Sequence, residues 1–113
     1  MKALFLVLNK TDKLDKVLKT LLNCGVRGAT ILNSTGMGRR LAHEVPIFAS
    51  LGLMLDDGRS YNYTVFVVMK DEKVEPVINA LAEVLGGLDK PDTGIIFTVP
   101  VDRVVGLAEE PPG

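Results

Sequence analysis

Two helical apolar stripes, each set between short apolar runs, constrain this chain more than any other feature. In KTDKLDKVLKTLLNCG, Leu14, Val17, Leu18, Leu21 and Leu22 recur at helical spacing, with Lys13, Asp15, Lys16, Lys19 and Thr20 on the wet side. Thr11 or Asp12 is placed to cap the start, and Gly25 to end the helix in a left-handed conformation. The second stripe lies in DEKVEPVINALAEVLGG, where Val74, Val77, Ile78, Leu81, Val84 and Leu85 share a face and Gly86 and Gly87 stop the helix. Proline suits a first helical turn, so Pro76 predicts a start near Lys73 or Val74 rather than at Asp71.

The apolar runs read as strands. Ala3 to Asn9 is apolar on both faces, with Phe5 and Val7 pointing one way and Leu4, Leu6 and Leu8 the other. Gly28 to Ser34 forms a second strand and Tyr61 to Met69 a third; Thr93 to Val101 forms a fourth, with Pro100 at its edge or end. A hairpin around Asp56, Asp57 and Gly58 extends the connection between strands two and three. DRVVGL reads as one short turn and residues 108–113 as a loose tail.

The order is strand, helix, strand, strand, helix, strand, which is the split βαββαβ arrangement of ferredoxin-like α+β folds. It predicts a four-stranded antiparallel sheet in one domain over residues 1–113. Helix one is expected to return the chain to a parallel neighbour of strand one. Right-handed crossovers place both helices on one sheet face. The other face then carries large apolar side chains with nothing in the chain to hide them. Each one removed from water contributes roughly 1.5–3 kcal/mol, so a homo-oligomer is expected.

Composition narrows the function. The net charge is −1, which provides no general field for nucleic acid or an anionic membrane. One cysteine, Cys24, rules out an internal disulfide and suits a reducing compartment. No run approaches the roughly 20 apolar residues of a membrane span, and the amino-terminal run lacks a signal-peptide cleavage pattern, so a cytoplasmic protein is expected. His43 has no histidine partner, which argues against a zinc site. No nucleophile, base and orienting group assemble, so the expectation is a protein that is not an enzyme.

Two turn-rich segments remain as candidate binding elements. In STGMGRR, Gly36, Met37 and Gly38 let amide N–H groups converge, and Arg39 or Arg40 can meet a phosphate or carboxylate. In GGLDKPDTG, Lys90 can meet an anion while Asp92, Thr93 and Gly94 order the turn. Both also read as plain connections, one a solvated strand exit and the other a tight helix-to-strand link. A neighbouring subunit could bring the two segments together. Tyr61 and Tyr63 share a sheet face, where they pack at an interface or line a pocket; the interface is favoured.

GVRGATILNSTGMGR, the long segment before YNYTVFVVM, and PDTGIIFTVPVDRVVGL together resemble the nitrogen-regulatory PII signal-transduction family, from Lys2 to about Leu107. The resemblance implies trimers of ferredoxin-like subunits that bind adenine nucleotides between neighbours. It also implies a long loop, here residues 41–59, that contacts a protein target. It places Thr30 at the family's strand-two threonine. Gly36, Gly38 and Arg39 fall on its glycine-aromatic-glycine-arginine step, with Met37 replacing the aromatic; Gly94 and Phe97 fall on the connection into strand four. Arg40 stands where the family has glutamine, Ile95 where it has lysine, and Gly106 and Ala108 where it has arginines. The implied ligand is thus AMP, ADP, ATP, another small anion or none. The leading expectation is a non-catalytic sensor with a small-molecule effector. The alternatives are a trimeric interaction module that needs no nucleotide and, less favoured, a metal-binding trimer.

Overall fold

The computed structural model describes residues 1–37, 40–41, 61–90 and 93–107. The hairpin at Asp56 to Gly58, most of the 41–59 loop, His43 and the 108–113 tail lie outside these residues. The described chain forms β1 (Lys2–Leu8), a 3-10 turn (Thr11–Lys13), α1 (Leu14–Asn23), β2 (Thr30–Ser34), β3 (Asn62–Met69), α2 (Asp71–Val84) and β4 (Gly94–Pro100). The four strands form one antiparallel sheet in the order β2-β3-β1-β4. This is the expected ferredoxin-like α+β arrangement.

One expected pairing is corrected. β2 is not the neighbour of β1, because β3 lies between them and pairs antiparallel with both. The crossover through α1 therefore skips one strand position, and β3 returns from β2 to fill the gap. The result puts β1 and β3 at the centre, where their side chains are covered best, and β2 and β4 at the edges.

The two faces of β1 separate as the alternation requires. Leu4, Leu6 and Leu8 pair laterally with Val67, Val65 and Tyr63 and form the core with Val17 and Leu21 of α1 and Val74, Val77 and Leu81 of α2. Both helices thus cover the same face. The opposite face carries Phe5, whose ring stacks on Phe66 (5.5 Å) and on Phe97 (4.9 Å). Leu32, Ile95 and Val99 extend this apolar surface and are exposed, as is Phe97. Tyr63 lies on the helix-covered side and packs against the core, so it does not belong to the open face. Tyr61 stands edge-on to it at 5.5 Å.

The helix ends follow from their glycines. Gly25 takes φ 86°, and its N–H donates to Leu22 while that of Val26 donates to Leu21. Gly86 takes φ 77°, and the N–H groups of Gly86 and Gly87 donate to Glu83 and Ala82. Both are Schellman endings, and at α1 the buried Val26 and Leu21 supply the accompanying apolar contact. Lys73 Nζ adds a hydrogen bond to the Cys24 carbonyl at 3.2 Å, tying the end of α1 to the start of α2.

The helix starts differ from expectation. No side chain caps either α1 or the 3-10 turn; the tight turn itself supplies the entry, with Lys13 N–H donating to Lys10. α2 begins at Asp71, which places Pro76 inside the helix. Pro76 cannot donate to Glu72, but both residues are exposed, so water can take the Glu72 carbonyl. β2 begins at Thr30 rather than Gly28, and residues 102–107 carry bends at Asp102 and Gly106 rather than the expected one short turn.

Candidate functional site

The carboxyl ends of β1 and β2 and the amino ends of β3 and β4 meet at one end of the sheet. This end carries the described parts of both turn-rich segments. Ser34 closes β2 and leads into Gly36, which is half-buried, and Met37, which is 79% exposed. Arg40 is exposed, and its backbone N–H donates to the Gly36 carbonyl at 3.1 Å. Thr30 is at the other end of β2, exposed beside Phe66 on the open face. Four residue steps of about 3.3 Å put it roughly 13 Å along the strand from Ser34. Lys90 is exposed, and Gly38, Arg39 and Asp92 lie outside the described residues.

Thr93 is fully buried and Gly94 is buried. The Thr93 carbonyl accepts from the Asn9 and Lys10 N–H groups at 3.1 and 3.4 Å, while its hydroxyl oxygen is buried without a hydrogen-bond partner among the described residues. Gly94 has φ 154°, and a Cβ there would stand 2.5 Å from the Val7 carbonyl oxygen. Its glycine is thus required by the close approach of β4 to β1. That gives Gly94 a local structural role whatever the segment binds.

The two segments share an end of the sheet but not an edge. Three strand spacings of about 4.8 Å separate β2 from β4, or roughly 14 Å. Between them, on the open face, lies a polar cluster that the sequence reading did not single out. Ser34 Oγ donates to Asn62 Oδ1 and lies 2.8 Å from Thr64 Oγ1; Asn62 Nδ2 donates to Asn9 Oδ1 at 3.1 Å. Asn62 is buried, and a Cβ added at Gly36 would stand 3.8 Å from its amide nitrogen. The available signal was positional: Ser34, Asn62 and Thr64 are polar residues near the ends of β2 and β3 that meet at one end of the sheet.

Among the described residues, two ionisable groups are shifted. The Met1 ammonium, 2.8 Å from the Asp71 carboxylate, holds Asp71 below the usual carboxylate range. Tyr61 beside Tyr63 raises the Tyr63 phenol, first through a hydrogen bond and then through charge. Neither group belongs to the turn-rich segments. Among the described residues, no group of three or more His, Cys, Asp or Glu side chains is placed to hold a metal ion. No described helix is long and apolar enough to cross a membrane.

The sequence matches the family model for nitrogen regulatory protein P-II over residues 1–110. It is also 30% identical over 98 residues to a nitrogen regulatory protein P-II of Azospirillum brasilense, covering 87% of this chain and 84% of that protein. With the split antiparallel sheet, these matches define the class as a signal-transduction regulator. The chain belongs to the nitrogen regulatory protein P-II family.

Proposed function

We propose that this chain is a non-catalytic sensor that binds a small ligand, an adenine nucleotide by preference, in clefts between the subunits of a homotrimer. Occupancy of the cleft alters residues 41–59, which meet or release a protein target. The observation that carries the reading is the separation of the turn-rich segments. They share one end of the sheet yet leave from opposite edges, roughly 14 Å apart, so a ligand using both needs a second chain. The exposed Leu32, Ile95, Phe97 and Val99 favour such a second chain over the open face. Family membership supports the regulatory role. For the ligand to signal, it must bind one loop state better than the other.

Calorimetric titration with AMP, ADP and ATP, with and without magnesium, tests the reading. Saturable heat with at least one nucleotide is expected, and no heat with any of them would overturn it. One observation favours the alternative of an interaction module that needs no nucleotide. Ile95 presents an exposed apolar side chain beside the second segment, where a charged ligand would call for a cation. Capture of the protein target unchanged by nucleotide would select that alternative.

A further inference from the structure

The polar groups of the open face form a directed chain across the sheet. Ser34 has one hydroxyl hydrogen, and Asn62 Oδ1 takes it. Thr64 is then the donor in its 2.8 Å contact with Ser34 Oγ. The Asn62 carboxamide continues the chain from its other end, since Nδ2 donates to Asn9 Oδ1 at 3.1 Å. The Asn9 N–H donates in turn to the Thr93 carbonyl, also at 3.1 Å. The path runs from the β2 edge, through β3 and β1, to the residue that precedes β4. It joins the described roots of both turn-rich segments inside one subunit.

We propose that Asn62 is a positioning residue that holds the Ser34–Gly36 exit and the Thr93–Gly94 entry in one register across the sheet. A ligand that contacts one segment is thereby felt at the root of the other. The residue type matters. A carboxamide offers an acceptor at one end and a donor at the other, so it can link the Ser34 hydroxyl to the Asn9 oxygen; a carboxylate or an alkyl group cannot reproduce both bonds. Asn62 is 9% exposed on the open face, so its amide is shielded by its neighbours and its hydrogen bonds face little competition from water. A Cβ added at Gly36 would stand 3.8 Å from Nδ2, so the strand exit runs close to the link. The ligand part of this inference rests on the sensor reading above, whereas the register part does not.

The test needs no ligand in its first arm. Ser34→Ala is made in the full chain and in an Asn62→Ala background, and backbone amide resonances are compared. Ser34→Ala alone is expected to move the amides of Asn9, Lys10 and Gly94 at the opposite edge. In the Asn62→Ala background the same substitution should leave those three amides in place. A purely structural Asn62 would lower stability without changing how far the Ser34 signal travels. Should Asn62→Ala fail to fold, Asn9→Ala breaks the next link at an exposed position and is expected to block the signal equally. Movement confined to residues around Ser34, or equal movement of Gly94 in both backgrounds, would overturn the proposal. In the second arm ADP is titrated into both proteins. If ADP gives no heat and AMP and ATP give none either, the sensor reading fails while the first arm still decides the register claim.

Discussion

Replacing Gly94 by alanine probes a close approach of β4 to β1. The new Cβ would stand 2.5 Å from the Val7 carbonyl oxygen and 3.5 Å from Leu8 Cα, both backbone atoms in the central strand. An ordinary carbon–oxygen contact is about 3.3–3.6 Å, so β4 must retreat by nearly 1 Å at a point where Leu8 pairs with Gly94. Overpacking of this kind costs roughly 1–3 kcal/mol. The φ of 154° adds strain for an L residue of the order of 1 kcal/mol or more. The sum is about 3 kcal/mol, and at about 4 °C per kcal/mol for a domain of this size the midpoint falls by about 12 °C. Gly28→Ala is the control, because nothing lies within 4 Å of its added Cβ. Thermal unfolding is followed by circular dichroism at equal chain concentration, since assembly makes the midpoint concentration-dependent. A Gly94→Ala midpoint within about 2 °C of the Gly28→Ala value would refute the steric reasoning.

Gly86→Ala isolates backbone strain, because φ is 77° and no atom lies near the added carbon; denaturant unfolding should show a loss of about 1–2 kcal/mol. Thr93→Val removes a buried hydroxyl that has no partner among the described residues while keeping the shape, so it should raise stability by about 1 kcal/mol in the same assay. The Asp71 carboxyl should titrate below about 3.9 by NMR, and acetylation of the Met1 amine should bring it back toward that value. Because the folded-state value is depressed, the pair's small stabilisation is present above the unfolded-state value and fades as pH falls through the folded-state one. A titration midpoint unmoved by acetylation would remove the ion pair from the account.

Much of the fold was legible because local rules and tertiary packing agree. The stripe of Leu14, Val17, Leu18 and Leu21 could bury only one helix face, and Gly25 and Gly86 could end the helices only through positive φ. The alternation of Phe5 against Leu4 and Leu6 fixed which β1 residues share a side. Strand order was less accessible, because sequence periodicity says which face a strand buries but not which strand lies beside it. β3 is long and apolar enough to take the central place, and β2 was thereby moved from beside β1 to the edge. Pro76 misled because proline's cost in a helix falls where the orphaned carbonyl, here that of the exposed Glu72, still reaches water. At the candidate site, Gly94 was legible as a special glycine but not as one demanded by the Val7 carbonyl. The Ser34–Asn62–Asn9 link joins residues up to 53 apart in sequence, so no local pattern announces it.

The proposed shared cleft depends on sister chains covering the side of the sheet that bears Phe5, Phe66 and Phe97. Light scattering coupled to size exclusion at micromolar concentration measures this directly, with Phe97→Asp as the paired variant. Phe97 is 46% exposed in the single chain, so the substitution should weaken assembly while leaving the helical circular dichroism intact. The unaltered protein is predicted to elute as one species of three times its 12.2 kDa chain mass, and the variant as a smaller one. A folded, unaltered protein of single-chain mass at that concentration would contradict the account.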